Sequence, residues 1–586
     1  MIKCRNIILY VFLFAAFLGC KQKNENENKS GKPVIYQLVV RLFGNQNSTN
    51  KYYGSIQENG VGKLDDINDK ALDSLKALGI TYIWYTGILE HATMTDYSKY
   101  GIKVDDPDVV KGRAGSPYAV KDYYDVDPDL AVNVQNRMAE FQALIDRTHH
   151  HQLKAIIDFI PNHVARGYFS DAKPDSVIGF GEQDDTSVAF SPHNDFYYIP
   201  KSQFIVPRGA DAGGPDFHSK LKDGKFDEHP AKATGNNVFR PDPSIDDWYE
   251  TIKLNYGVDV MNGDKEYFTP LPPVWKKMRD ILVFWAQKGV DGFRCDVAEM
   301  VPVAFWHWVI PQVKKVNPQI IFIAEAYTPG KYEQYLNYGG FDYLYNKVGL
   351  YDALKKLIKN DSGASVSEID TLMHFQKKFS SHMLNFLENH DEKRIASKQF
   401  ADNPFLAEPA MVVAATISNA PVMIYFGQEL GEKAERAEGF GADDGKTTIF
   451  DYWGVPAVQQ WTNGGKFDGG KLSERQKDLR NFYQRLLHIA GENTALYKGD
   501  YQVVRNKDFN DKQLAYLRFN GQQKILIAVN FDRKDTLKTT IQLSKNTGNT
   551  KIFKTADNLF TQEKQSIENG IAITVPPSGY EVLKLD

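Results

Sequence analysis

The chain has 586 residues, of which 42% are hydrophobic, so it can bury a large core and is long enough for more than one domain. Its formal net charge is −4 and its pI is near 6.4. The chain therefore lacks the excess of positive charge that is typical of nucleic-acid-binding proteins, which excludes that class of partner.

The first twenty residues carry an export pattern. Lys3 and Arg5 precede an apolar run at 7–18, which is long enough for the hydrophobic part of a signal peptide and short for a membrane span. Gly19 and Cys20 end the run in a pattern similar to the lipobox of bacterial lipoproteins, in which the cysteine is lipidated and becomes the mature N-terminus. We therefore expect a lipoprotein signal peptide at 1–20 with lipidation of Cys20, ordinary signal cleavage being the alternative. A polar tether that cannot pack should follow at 21–32.

From residue 33 onward, strand and helix signals alternate. Strands are predicted at 34–40, 81–87, 154–160, 290–296, 320–325, 341–346, 383–388 and 422–427. Helices are predicted at 70–78, 134–151, 274–288, 303–316, 351–359, 365–379, 404–419 and 475–490. Eight alternating units are the number that a closed parallel barrel needs. We prefer the barrel to an open doubly wound sheet, because the sequence lacks the Gly-rich phosphate loop typical of nucleotide-binding sheets.

Two further regions depart from this alternation. The stretch between the third strand and the next helix is rich in Gly, Pro, Asp and aromatics and is too long for a plain connection, so we expect an inserted lobe at 164–271. Beyond residue 492, short alternating runs at 501–504, 513–519, 524–530, 539–543 and 580–585 predict a C-terminal β-sandwich. The predicted fold is an α/β (β/α)8 TIM barrel at 33–163 and 272–492, followed by an all-β domain at 493–586.

Four acidic residues lie where predicted strands end and loops begin: Asp158, Asp296, Glu325 and Asp391. Since active sites of such barrels lie at the carboxyl ends of the strands, we expect the four acids to converge on one rim. A rim with several carboxylates and only one nearby arginine, Arg294, cannot keep every acid at its solution pKa. Unequal environments allow one site to hold both a proton donor and an ionised nucleophile, and this predicts a carbohydrate-cleaving site.

Four short stretches resemble motifs of glycoside hydrolase family 13, the α-amylase family, and occur in the family's order. They are DFIPNH at 158–163, GFRCD at 292–296, IAE at 323–325 and FLENHD at 386–391. The upstream SPYAVKD at 116–122, followed by VDP at 126–128, is similar to the family's second-loop pattern. The resemblance spans most of 33–490. It implies a retaining glycosidase that cleaves α-glucosidic bonds in starch-type glucans or maltodextrins.

The resemblance also implies a role for each acid of the central group. Asp296 would attack the anomeric carbon, Glu325 would protonate the departing oxygen and then activate water, and Asp391 would bind and distort the sugar. Arg294 shares a strand face with Asp296 and is expected to hold it ionised as the nucleophile. Covalent retention of this kind needs carboxyl groups roughly 5–5.5 Å apart.

Further residues are expected around this centre. His163 and His390 would donate hydrogen bonds to the sugar ring, and Tyr118 would stack beneath it, a purely structural role being the alternative for each. Supporting roles are expected for Asp122, Asp158 and Arg394.

A structural calcium ion is left open by the sequence, and no other cofactor is expected. Asn162 aligns with a calcium-ligating asparagine of many amylases, but one oxygen ligand does not make a site that needs six to eight. Cys295 should point away from the rim as a small core residue. No disulfide is expected, because Cys4 would be removed with the signal peptide and Cys20 would carry lipid.

Three departures from the family's motifs limit how closely the substrate can be predicted. Glu299-Met300 stands where many endo-acting amylases have Lys-His, Ala326 follows Glu325, and Pro117-Tyr118-Ala119 replaces the usual Gly-Tyr-aromatic. Short maltodextrins are therefore as plausible a substrate as long starch chains.

Two other functions remain open from the sequence. One is a transglycosylase or isomerase that uses the same covalent intermediate, and the other is a glucan-binding protein without turnover. The expected partner is an α-glucan or maltooligosaccharide. The chain should be exported and lipid-anchored to a bacterial membrane, at the periplasmic face or the cell surface, with no other membrane contact.

Overall fold

The computed structural model describes residues 31–586 except 211, 437–442, 522, 543–552 and 569. The predicted signal peptide, Cys20 and nearly all of the tether lie outside the described residues. Within these ranges, every helix falls short of the length and apolar character that a bilayer-spanning segment needs.

The described residues form a closed barrel of eight parallel strands. In chain order these are β1 (Val34–Val39), β2 (Tyr82–Thr86), β3 (Lys154–Phe159), β4 (Gly292–Cys295), β5 (Ile321–Ala324), β6 (Tyr343–Tyr345), β7 (Met383–Phe386) and β8 (Val422–Tyr425). Each strand pairs with its neighbour in sequence, and β8 closes the barrel by pairing with β1, where Val422 lies opposite Val34. The predicted barrel is confirmed.

Helices cover the outside of the barrel. The main ones are α1 (Asp69–Leu78), α2 (Arg137–His150), α3 (Pro273–Gln287), α4 (Val303–Val316), α5 (Asp352–Lys359), α6 (Ser367–Phe375), α7 (Glu408–Thr416) and α8 (Glu474–Glu492). In α3, Pro273 is placed in the first turn, where its missing N–H costs no hydrogen bond. Val274, Met278 and Trp285 recur at helical spacing and are buried, so one apolar face packs onto the strands.

Alternation along the strands separates an outer core from an inner one. Cys295 is fully buried in the outer core, between strands and helices, so it points away from the rim as predicted. The inner core fills the barrel with Ile35, Trp84, Ile156, Ile323, Tyr345, Leu384, Phe386 and Met423.

Between β3 and α3, the chain forms a lobe of short antiparallel strand pairs. His163–Ala165 pairs with Thr251–Lys253, which joins the start and the end of the lobe at the edge of the barrel. Inside the lobe, the buried Arg166 donates from Nη1 to Glu228 Oε1 at 2.6 Å and from Nε to the carbonyl of Tyr249. These contacts hold distant segments of the lobe together.

The C-terminal domain is a β-sandwich. Its strands in the described residues are Asp500–Val504, Gln513–Phe519, Lys524–Asn530, Leu537–Ile541, Thr555–Asn558, Lys564–Ser566, Ile571–Val575 and Gly579–Leu585. They form a six-stranded and a two-stranded sheet whose apolar faces share one core, for example through Leu526 and Ile573. The strands at 555–558, 564–566 and 571–575 were not predicted. The first two are largely polar and partly exposed, so pairing with neighbouring strands defines them more than hydrophobicity does.

Candidate active site

Asp296 and Glu325 lie side by side just beyond the carboxyl ends of β4 and β5. The backbone ladder continues through both residues, because the N–H of Glu325 donates to the carbonyl of Cys295 at 3.1 Å. One level deeper in the barrel, Arg294 on β4 lies opposite Asp158 on β3. Three adjacent strands therefore bring three acids and one arginine to the same part of the rim.

The guanidinium of Arg294 is fully buried and binds all three of these acids. Nη1 donates to Asp296 Oδ1 at 2.8 Å and to Asp158 Oδ1 at 3.3 Å, and Nη2 lies 2.8 Å from Glu325 Oε2. Nε donates to the hydroxyl of Tyr345 at 3.1 Å. Because neighbouring nitrogens of one rigid group bind Asp296 and Glu325, the two carboxyls are held a short distance apart.

The electrostatics differ from the expectation that Arg294 keeps Asp296 ionised. Burial, reinforced by the charge of Glu325, raises the pKa of Asp296 well above its usual range, and the guanidinium only partly opposes this rise. Burial also raises the pKa of Asp158 to about 6. For Asp391, burial and the charge of Glu325 raise the pKa above the ordinary aspartate value. One arginine shared among several acids leaves protons within the cluster, in agreement with the broader expectation for this rim.

Glu325 accepts two further hydrogen bonds that were not predicted. The backbone N–H of Val297 donates to Oε2 at 2.7 Å, and the hydroxyl of Tyr327 donates to Oε1 at 2.7 Å. Val297 has a φ of 34°, a left-handed conformation that is unfavourable for a β-branched residue and that aims its N–H at the site. Glu299, which departs from the family's Lys-His pattern, accepts from the backbone N–H of Tyr327 at 3.0 Å and so holds the loop in place.

His390 and Tyr118, both predicted to bind the sugar, lie side by side in the site. Gln37 Nε2 donates to His390 Nδ1 at 2.8 Å, so the ring proton is on Nε2, which lies 2.7 Å from the Tyr118 hydroxyl and 3.1 Å from Asp391 Oδ2. Burial and the charge of Arg294 lower the pKa of His390, which keeps the ring neutral. The Tyr118 ring stacks on the His390 ring with centroids 5.1 Å apart.

His163 also lies in the site, but its neighbour Asn162 does not fit a calcium site. Burial and, to a smaller extent, the charge of Lys253 lower the pKa of His163 to about 3. The amide oxygen of Asn162 accepts a hydrogen bond from Lys253 Nζ at 2.6 Å, and the amide nitrogen donates to the Gly235 carbonyl at 2.8 Å. The oxygen of Asn162, which the sequence offered as a tentative calcium ligand, is therefore already occupied by Lys253.

The three predicted supporting residues lie in different places. Asp158 is at the centre, where it also accepts from Trp84 Nε1 at 2.8 Å. Arg394 is buried behind the rim and donates to Glu388 Oε2 at 3.0 Å. Asp122 does not line the pocket, because its strand, Val120–Val126, carries it toward the lobe.

A cavity of about 650 Å³ opens above these groups. The predicted residues on its wall are Tyr118, His163, Asp296, Glu325, His390 and Asp391. Others were not predicted, including Lys111, Trp248, Tyr327, Lys347, Val348 and Phe450. Trp248 comes from the lobe and Phe450 from the segment after β8, so only the fold brings them to the site. Its size and its mixture of aromatic and ionisable groups are typical of a small-molecule site.

A parallel barrel with paired carboxyls at the carboxyl ends of its strands and an aromatic-lined pocket defines a class of enzymes that act on glycosidic bonds. Residues 46–499 match the family model described as "Alpha amylase, catalytic domain", and residues 503–586 match "Alpha amylase, C-terminal all-beta domain". The chain therefore belongs to the alpha-amylase family, and it is a glycosidase by class.

Individual relatives are distant. The chain is 22% identical to Alpha-amylase 3 of Dictyoglomus thermophilum over 547 residues, which covers 90% of each chain. It is 26% identical to an Alpha-1,4-glucan:maltose-1-phosphate maltosyltransferase of Picrophilus torridus over 300 residues, or 50% of this chain and 41% of that one. Among solved structures, it is similar to the alpha-amylase of Geobacillus thermoleovorans in complex with acarbose, with a TM-score of 0.61, 20% identity and coverage of 94% and 98% of the two chains.

Proposed function

We propose that this protein cleaves α-glucosidic bonds in starch-type glucans or maltodextrins with retention of configuration, through a covalent glycosyl intermediate on Asp296. The observation that carries the proposal is the placement of Asp296 and Glu325 on adjacent strand ends, bound to one guanidinium. That arrangement suits a mechanism in which one carboxyl attacks the anomeric carbon while the other serves the leaving group from the opposite side of the bond.

The shared arginine also lets the pair exchange a proton at low cost. Whichever of Asp296 and Glu325 holds the proton, Arg294 stays paired with the other one, which is ionised. With the proton on Glu325, the Asp296 oxygen forms the bond to the anomeric carbon while the Glu325 proton passes to the departing oxygen. Water then gives a proton to Glu325 and its hydroxyl to the anomeric carbon, which releases Asp296 as a carboxylate and leaves the proton on Glu325 for the next turnover.

The remaining pocket groups support binding of a sugar ring next to this pair. The neutral His390 and Asp391 lie side by side on the cavity wall, with Nε2 and Oδ2 3.1 Å apart, so both can exchange a present contact for one to the same sugar ring. Trp248 and Tyr118 provide aromatic faces for stacking on a sugar. A cavity of about 650 Å³ suits a short oligosaccharide segment, which favours maltodextrins as the natural substrate.

The direct test is to trap the intermediate. Incubation with a 5-fluoro-α-glucosyl fluoride should add one glycosyl group per chain, and peptide mass spectrometry should locate it on Asp296. Asp296→Asn should lose both the label and at least about a thousand-fold of the maltotriose-hydrolysing activity. Asp242→Asn, at an exposed lobe position, should retain both. Undiminished hydrolysis by Asp296→Asn would refute the proposal.

Transfer of the glycosyl group to another sugar is the second candidate. The apolar side chains of Val297, Val348 and Ile449 line the cavity and limit the space for water, and one relative is a maltosyltransferase by name. Product chromatography with maltotriose decides between the two reactions, because products longer than the substrate require transfer. Glucose and maltose alone indicate hydrolysis.

We further propose that the protein is exported and held at a bacterial membrane through a lipid on Cys20. The apolar run at 7–18, the following Gly19-Cys20 and the polar residues after them support this proposal. Cys20→Ser should move the protein from the membrane fraction to the soluble fraction and abolish labelling by a fatty-acid analogue. Membrane retention of the variant would contradict it.

A further inference from the structure

A second cluster of acidic side chains lies outside the pocket, at the junction of the barrel and the lobe. Glu90 is in the short strand Leu89–His91 that follows β2, Asp122 lies directly opposite it in Val120–Val126, and Asp171 belongs to the lobe. One carboxylate oxygen of each residue lies within 4.8 Å of those of the other two. Two like charges facing each other across a strand pair are destabilising unless something neutralises them.

The burial of this cluster makes its charge costly. Glu90 is 1% exposed and Asp122 fully buried, whereas Asp171 is exposed to solvent. Asp122 has its two oxygens fixed by the backbone N–H groups of Tyr124, at 2.8 Å, and Ala172, at 2.9 Å. A carboxylate oxygen that accepts one such bond keeps a free lone pair for a further contact.

Glu90 has an orphaned oxygen. Its Oε2 is buried without a hydrogen-bond partner, and its Oε1 is 3.7 Å from Lys121 Nζ. Lys121 cannot serve as a full counter-charge, because its ammonium group is closer to Asp105, at 3.1 Å.

The surrounding charges add to the imbalance. Asp125 lies nearby and is already paired with Arg137. Lys121 lies closer to Asp105 than to Glu90, and Arg137 is paired with Asp125. The 3.7 Å contact between Lys121 and Glu90 is thus shared with Asp105 and does not balance three carboxylates.

From this geometry, we propose that Glu90, Asp122 and Asp171 bind one divalent cation, Ca²⁺ in preference to Mg²⁺. A ligand set made only of carboxylate oxygens suits a hard cation. Ca²⁺ accepts irregular cages of protein oxygens, whereas Mg²⁺ demands a near-ideal octahedron, keeps several waters and is usually held by only one or two carboxylates. A site that offers three protein carboxylates therefore favours Ca²⁺. The exposed Asp171 gives the ion an entry path, and water completes the coordination.

The ion would link two parts of the molecule. It would join the Asp171–Ala172 segment of the lobe to the strand that begins just after Tyr118. This strand carries the second-loop motif toward the pocket, so a bound ion would stabilise the lobe against the barrel while leaving the reacting groups untouched.

Binding can be measured directly on the full-length protein after dialysis against a chelator. Calorimetric titration with Ca²⁺ should give one site per chain, with Mg²⁺ binding at least tenfold more weakly. The Tm should rise steadily with the logarithm of the Ca²⁺ concentration once this exceeds the Kd. Asp171→Asn changes an exposed group and should fold normally, yet it should weaken Ca²⁺ binding at least tenfold. Glu90→Gln should behave in the same way.

The matched control is Glu182→Gln, an exposed lobe acid that should bind Ca²⁺ as the wild type does. If the wild type shows no Ca²⁺ site, or if Asp171→Asn and Glu90→Gln bind Ca²⁺ with unchanged affinity, the proposal is overturned. A wild-type Tm that does not depend on the Ca²⁺ concentration would overturn it as well. These experiments measure Ca²⁺ binding and Tm. Their outcome therefore does not depend on whether a glycosyl intermediate can be trapped on Asp296.

Discussion

At the residue scale, the two central carboxyls have different surroundings. Glu325 is bound by the Arg294 guanidinium, a backbone N–H and the Tyr327 hydroxyl, whereas the Asp296 carboxyl accepts a hydrogen bond from the guanidinium. Glu325 therefore has its rotamer fixed from several directions. Such fixing matters because a proton donor acts efficiently only when it is aimed at the leaving oxygen.

Tyr327→Phe tests this positioning role. The substitution keeps the aromatic ring in the pocket but removes the hydrogen bond to Glu325 Oε1, so the carboxyl becomes free to rotate. A hydrogen bond to a charged group is worth about 1.5–3 kcal/mol, and we expect kcat on maltotriose to fall about tenfold while KM changes little. Steady-state kinetics provide the measurement.

The control for this prediction is Tyr338→Phe, since Tyr338 is 46% exposed and outside the pocket. An equal fall in kcat for both variants, or a change confined to KM for Tyr327→Phe, would contradict the positioning role.

His163 should make stability depend on pH. Burial lowers its pKa to about 3 from an ordinary value of 6.5, so at pH values between these two the unfolded chain binds a proton that the folded chain does not. The stabilisation is complete above the unfolded pKa and is lost as the pH falls toward the folded one. From pH 6.5 to 4.5, the wild type should lose about 2–3 kcal/mol more than His163→Gln.

Urea denaturation of both proteins at the two pH values gives these free energies of unfolding. His374→Gln serves as the control, since the His374 side chain is 69% exposed, and it should follow the wild type. If the free energy of unfolding falls equally in the wild type and in His163→Gln between these pH values, the protonation of His163 is not the cause of the fall.

At the scale of elements, the junction of the lobe and the barrel depends on a buried lysine. Lys253 ends the strand that pairs with His163–Ala165, and its ammonium binds the amide oxygen of Asn162 at the end of the DFIPNH motif. Burial lowers the pKa of Lys253 to about 7, so the fold retains this group at an energetic cost. Its contact links the lobe's returning strand to the motif that carries His163.

Lys253→Met should weaken this junction. The methionine fills much of the same volume but leaves the buried oxygen of Asn162 without its donor, which costs about 1–3 kcal/mol. We expect a lower Tm and a higher KM for maltotriose, because His163 and Trp248 lose part of their support. Lys265→Met, on an exposed strand of the same lobe, should change neither quantity. A wild-type Tm for Lys253→Met would refute this role.

At the scale of the whole molecule, the C-terminal domain covers α7, the helix between the last two barrel strands. Residues Pro409 to Thr416 of α7 are all buried, because the sandwich packs on the side that faces away from the strands. Arg518 of the sandwich is 1% exposed and donates to the carbonyls of Thr416 and Gly499, both at 2.8 Å. The sandwich thus stabilises the end of α7 as well as covering it.

Arg518→Met should therefore destabilise both domains together. Removing the donors leaves two buried carbonyls without hydrogen bonds. Each lost bond costs about 1–3 kcal/mol. The variant should show a lower Tm and faster limited proteolysis near residue 499. Arg505→Met provides the control, since its side chain is 74% exposed. Proteolysis at the wild-type rate in Arg518→Met would contradict the proposed coupling.

Sequence alone was sufficient for the parts of the molecule that depend on local pattern. Apolar runs that alternate with helical patterns placed the eight strands. The acids at the ends of some of them predicted that Asp158, Asp296 and Glu325 meet at one rim, because parallel strands share an end and side-chain direction alternates along each strand. The tertiary structure decided everything that depends on distant segments meeting. It assigned Arg294 to three acids, placed Tyr327 and Trp248 in the pocket, and bound Asn162 to Lys253, 91 residues away in the chain. Local periodicity carries no information about such pairs, since they are selected by the packing of the lobe on the barrel.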